Sequence, residues 1–121
     1  MRCPKLAVAL AAVLLARGQD KTLPQAPKAA EEVYKNIQVL KGVPSDRVIP
    51  AMMFFAKSLG VQCDHCHVPD QFEKDDKPAK LTARRMLRMV HEINDNNFPD
   101  NKIVSCWMCH RGSVKPQSVP Q

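Results

Sequence analysis

Aromatic side chains are scarce in this 121-residue chain, with one Trp, one Tyr and four Phe making up 5% of it. A chain of this length holds one small domain, whose core would be modest even with a full complement of aromatics. Strict alternation of apolar and polar residues is also missing. No stretch keeps it long enough to mark a strand, which leaves an all-α fold. Basic clusters interleaved with aromatics are absent, so a nucleic-acid surface is not expected. A membrane-length apolar run is lacking too. The longest, LAVALAAVLLA at residues 6–16, is too short for an ordinary span.

That run has another reading. It follows a basic head, Met1-Arg2-Cys3-Pro4-Lys5, and precedes the small residues Ala16 and Gly18, the layout of a secretory signal peptide over residues 1–18. An uncleaved anchor, and with it membrane association, is the alternative. Export to the periplasm of a Gram-negative bacterium is the expected destination. Without residues 1–18, fifteen basic residues face twelve acidic ones, so the formal charge falls from +6 to +3. The high whole-chain isoelectric point therefore says little about partners. Cys3 leaves with the head, and four cysteines remain.

Residues 19–27 read as a flexible polar leader, residues 28–113 as the folded domain and residues 114–121 as a polar tail. Val33, Ile37 and Leu40 recur at helical spacing, predicting a helix over 28–41 that Gly42 stops. Ser45 is placed to cap a second helix with Val48, Met52, Phe55 and Leu59 on one face and Gly60 at its end. Pro50 falls in its opening turns, where a bend is tolerable. Residues 68–80 are charged and aperiodic, a surface loop. A third helix is expected over 78–96, with an apolar stripe of Met86, Met89, Val90 and Ile93; Arg84, Arg85 and Arg88 help to cover its other faces.

The four remaining cysteines fall into two pentapeptides, Cys63-Asp64-His65-Cys66-His67 and Cys106-Trp107-Met108-Cys109-His110. Two thiols one helical turn apart can each form a thioether with a haem vinyl group, and the next histidine then meets the iron. Disulfides within each pair would leave both histidines unexplained. A four-cysteine zinc site would not need those histidines and ordinarily has a shorter gap between its pairs. A thioredoxin-like motif needs a βαβ context that is missing. The residues thus point to a c-type cytochrome with two covalent haems, held by Cys63 and Cys66 and by Cys106 and Cys109. His67 and His110 are the proximal ligands. Two large apolar ligands would also make good the shortage of aromatics, so the haem-free chain should fold poorly.

The opposite face of each iron decides between electron transfer and catalysis. His65 sits on the proximal side of its own motif and His91 lies off the apolar stripe, so both read as histidines at the surface or supporting a ligand from behind. Met52 is on the apolar face of the helix before the first motif, with its neighbour Met53 a close competitor that spacing alone does not separate from it. Met86 and Met89 share the stripe of the helix before the second, and periodicity does not separate them. A methionine on such a stripe is more often core filling, but each haem needs a ligand.

The segments NIQVLKGVP, LGVQCDHCHVPDQFEKDDKPAKLTARRMLRMVHEIN and CWMCHRG resemble the cytochrome c subunit family of photosynthetic reaction centres, and more closely its small two-haem relatives from non-photosynthetic bacteria. The likeness covers about residues 33–113. It implies helix–turn–CxxCH units around a haem pair, with a methionine ligand on the helix before each motif. On that pattern the ligands are Met52 and Met86. Reaction-centre subunits carry four haems and this chain has motifs for two, so the resemblance extends to fold and ligation but not to a photosynthetic partner. The expected function is a periplasmic electron carrier with two six-coordinate His/Met haems, serving other redox proteins such as cytochromes, an oxidase or a membrane redox complex. The alternatives are a small peroxidase-like di-haem enzyme with one open iron, or an electron-transfer subunit of a larger membrane complex. Arg84, Arg85 and Arg111 read as solvated, although any of them could pair with a haem propionate.

Overall fold

A computed structural model of the protein describes residues 25–120. The expected signal peptide, and most of the leader, lie outside the described residues. Within them the chain is all-α, with helices α1 (Ala30–Val33), α2 (Ser45–Leu59), α3 (Pro78–Asn97) and α4 (Cys106–His110), and a 3₁₀ turn at Cys63–His65. Two isolated bridges, Ala29 with Pro44 and Val68 with Gln71, are the only β-type pairings there.

The helix expected over 28–41 is only one turn long. Tyr34 leaves it in an extended conformation, and Asn36 adopts a positive φ of 58°, which Asn tolerates better than most residues. Tertiary bonds outweigh the helical spacing here. Ala30 N–H donates to the Val43 carbonyl at 2.8 Å and Ser45 N–H to that of Lys28 at 2.8 Å, closing residues 28–45 into a loop. Across it, the Glu31 carboxylate accepts from Gly42 N–H at 2.9 Å, a bond that lowers its pKa. Of the three residues that suggested the helix, Val33 is exposed while Leu40 is buried with Ala30 and Val48.

Ser45 is the first residue of α2 and not its cap; Pro44 precedes the helix, and no side chain caps it. α2 runs unbroken through Pro50 and ends, as expected, at Gly60 in the left-handed region, with φ 68°. α3 begins with Pro78 in its first turn, where the missing N–H costs nothing. Its expected stripe is not the face the protein buries: Met86 is 37% and Met89 42% exposed. Lys80, Arg84, Leu87 and Asn94 turn inward instead.

α2 packs against both α1 and α4. At its crossing with the second motif the backbones touch, Gly112 N–H donating to the Ser58 carbonyl at 2.9 Å. α3 is held largely by polar bonds from its buried face. Only Ala30, Leu40, Val48 and Leu87 form a buried apolar core among the described residues, too little to account for a stable domain by burial alone.

Candidate functional site: two cysteine–histidine motifs and an apolar cavity

A cavity of about 300 Å³ opens between α2, the 34–40 loop, the first motif and the inward face of α3. Cys63, Cys66 and His67 line it from one side, Met52 and Met53 from α2, and Lys80, Arg84 and Leu87 from α3. Its wall is predominantly apolar. The cavity thus gathers every residue expected around the first haem. Met52 also packs against the Ala30–Leu40–Val48 core, whereas Met53 is 67% exposed.

The two histidines are held alike. His67 Nδ1 lies 3.0 Å from the Phe72 carbonyl, and His110 Nδ1 lies 2.9 Å from the Ser113 carbonyl. A carbonyl only accepts, so each Nδ1 donates, and in the neutral imidazole this leaves the Nε2 lone pair for a metal. The Phe72 ring adds an edge-on contact with the His67 imidazole, their centroids 5.5 Å apart.

Each pair presents one half-buried and one exposed thiol: Cys66 and Cys106 are the half-buried ones, Cys63 and Cys109 the exposed. Burial pushes the Cys66 and Cys106 thiols up, which disfavours the free thiolate that disulfide exchange needs. All four cysteines are unbridged. Among the described residues no three His, Cys, Asp or Glu side chains converge as a metal site, so the two pairs do not build a four-cysteine centre. An apolar cavity edged by two thiols, an Nε2 lone pair and a thioether fits haem c, a large flat apolar group attached through cysteines.

The second motif is built differently. α4 carries Cys106, Cys109 and His110, and residues 113–120 arch beside it to bound a second cavity of about 670 Å³. The expected polar tail therefore lines this cavity, through Lys115 and Val119 among others. Met86 lines neither cavity and sits on the outward face of α3. Upstream of the motif, buried Asn94 donates to the Val104 carbonyl at 2.9 Å and accepts from Val104 N–H at 2.9 Å. This clamp sets where the chain enters α4.

Several positioning groups escaped the sequence reading. Phe72 and Ser113 act through their carbonyls, which no side-chain pattern reveals. Arg84 is not solvated: it is buried, its Nη1 2.8 Å from Asp75 and its Nη2 donating to the Asn36 carbonyl at 3.1 Å. The Arg84 guanidinium and the Asn36 amide hold the Asp75 carboxyl well below the usual carboxylate range. A cation one turn from another on an amphipathic helix ordinarily faces water. His65 and His91 are exposed, as expected.

The profile of the family described as photosynthetic reaction centre cytochrome C subunit matches residues 5–120. The chain belongs to that family. The photosynthetic reaction center cytochrome c subunit of Thermochromatium tepidum is 34% identical over 95 residues, 75% of this chain and 23% of the relative. Cytochrome c-554 of Chloroflexus aurantiacus is 36% identical over 84 residues, 64% of this chain and 20% of the relative. The subunit of Roseobacter denitrificans is 34% identical over 102 residues, 74% and 27% respectively. The chain therefore spans about a fifth to a quarter of the length of these relatives. Membership places it among the c-type cytochromes. Among the described residues no helix is long and apolar enough to cross a membrane.

Proposed function

We propose that this family member is an exported di-haem electron carrier. Cys63 and Cys66 would hold one haem c, with His67 and Met52 as axial ligands, and Cys106 and Cys109 a second, with His110 and Met86. The observation that carries the proposal is the shared pinning of both histidines through Nδ1, which presents two equivalent Nε2 lone pairs beside two cysteine pairs. Haem c supplies one-electron chemistry at its iron. The chain's residues do the rest. His67 and His110 stay in one tautomer, Met52 faces the first cavity from the helix opposite the motif, and the apolar lining would disfavour water beside a bound haem. Were His67, Met52, His110 and Met86 all to ligate, no position would stay open to a substrate, and the methionines would favour a high potential. The partners are other redox proteins in the periplasm, or a membrane redox complex of the kind named in the relatives.

Haem counting by pyridine haemochrome and intact mass tests the stoichiometry, with two expected. The weak long-wavelength methionine-to-iron band of the oxidised protein tests the ligands. It should lose one part in Met52→Ala and the other in Met86→Ala; persistence at full strength in both would sink the assignment. The position of Met86 outside both cavities favours a second reading, in which the second iron is open and the protein is a small peroxidase-like enzyme. High-spin haem that takes up cyanide or peroxide in the unmodified protein would establish it.

A further inference from the structure

Lys80 is 8% exposed, an unusual place for an ammonium group. Its three donors are all used: Nζ lies 2.8 Å from the Phe72 carbonyl, 2.6 Å from that of Lys74 and 3.1 Å from Asp75. The first of these acceptors is the carbonyl that His67 Nδ1 uses at 3.0 Å. One oxygen thus serves both the proximal histidine and a buried cation. At the second motif, no other donor among the described residues joins His110 at the Ser113 carbonyl. The charge balance is also uneven. Lys80 and Arg84 both pair with the single Asp75 carboxylate, so this cluster carries one net positive charge, beside a cavity wall that Lys35 also lines.

We infer that Lys80 tunes the first haem site, acting through the shared Phe72 carbonyl to raise that site's reduction potential above what the same ligands would otherwise give. Two effects run the same way. A carbonyl already polarised by an ammonium accepts less strongly from His67 Nδ1–H, so the imidazole gains less basicity and supports the oxidised iron less. The net positive charge beside the cavity disfavours the oxidised iron as well, because that form carries the additional positive charge. Lys80 is a positioning residue whose effect is electrostatic, and the two sites are built to differ in potential although their motifs are alike. The inference rests on the di-haem reading above.

The test is a potentiometric titration of the fully loaded protein with Lys80→Met and Asp75→Asn. Lys80→Met should lower one of the two potentials by about tenfold in the reduction equilibrium, ~59 mV for a one-electron couple, and leave the other in place. Asp75→Asn removes the compensating negative charge and should move the same step upward. Simple loosening of the loop would shift the two variants in the same direction, and that result overturns the inference, as do unchanged potentials. Where Lys80→Met does not fold, nitrogen-15 histidine spectra of the unmodified reduced protein decide. The Nδ1 proton of His67 should lie upfield of that of His110, and the reverse order overturns the inference. Absence of haem from the first motif of the unmodified protein overturns the di-haem reading and this inference together; unchanged potentials in a two-haem variant overturn this one alone.

Discussion

Gly60 offers the sharpest test of how the two motifs are joined. It ends α2 three residues before Cys63, and a Cβ built on it would lie 2.1 Å from the Gly112 carbonyl oxygen and 3.0 Å from the carbon. Both are backbone atoms two residues past His110, so no flexible side chain can swing aside. Gly60 also has φ +68°, which costs an L-residue about 1–2 kcal/mol. Separating two packed backbones adds about 1–3 kcal/mol of overpacking strain. Gly60→Ala should therefore lose ~2–5 kcal/mol. Gly42 is the internal control: its φ is +76° but nothing lies within 4 Å, so Gly42→Ala carries the conformational cost alone, about 1–2 kcal/mol. Denaturant unfolding of the loaded proteins, followed by far-UV circular dichroism, gives the comparison. The Gly60 variant should also change the Soret circular dichroism, because the two motifs are forced apart, while the Gly42 variant should not. Equal losses in the two variants would refute the contact between α2 and the second motif.

Asn94→Ala leaves both polar groups of Val104 without their partner, and should cost about 2–4 kcal/mol in the same unfolding assay and loosen the second site before the first. Asp75 titrates well below its ordinary range because the Arg84 guanidinium and the Asn36 amide stabilise its charged form. A depressed folded pKa gives stability that is fully present above the unfolded value, about 3.9, and lost progressively as pH falls from there through the lower folded value. Unfolding midpoints should accordingly drop steeply below about pH 4, and Asp75→Asn should flatten that acid limb while lowering the plateau at neutral pH. Met53→Ala should keep the full methionine-to-iron band that Met52→Ala diminishes, since Met53 is largely exposed. Replacing Cys63 and Cys66 by Ser should leave a chain with weak helical ellipticity and non-cooperative melting, because the buried apolar core that remains is four residues; a cooperative melt like that of the loaded protein would contradict this.

What the sequence made legible were the parts whose chemistry lies within a few consecutive residues. The two pentapeptides, the all-α class, Gly60 as a helix end and Pro78 as a helix start all depend on local rules. The failures share a cause. The 28–41 segment keeps helical spacing but becomes a loop, because Asn36 is bound by residues 73 and 75, nearly forty positions away. Ser45 has the composition of a cap, but the bond from its N–H to the Lys28 carbonyl accompanies a helix start one residue earlier, with Pro44 in the cap position. Periodicity gave α3 one apolar stripe, whereas the buried face also holds Lys80 and Arg84, whose charges are answered by a loop the spacing showed only as charged and aperiodic.

That last error bears on function. A helix with one apolar stripe needs one neighbour, but α3 has two faces of different character. Lys80, Ala83, Arg84 and Leu87 line the first cavity, while Met86 and Met89 stand on the other side. Arg84, Asp75 and Asn36 bind the inward face to the loops that carry the first site, and Asn94 binds its far end to the strand of chain entering the second motif. Neither attachment relies on apolar packing between helices, so α3 can stand away from α2 and leave space for a large flat ligand without losing its place. A protein poor in aromatics and buried side chains would need such polar fastenings, because the apolar surface that normally fixes a helix here lines a cavity. The same bonds put a buried cation at the carbonyl that orients His67, so the fastening that holds the cavity open also places a charge beside the proximal imidazole.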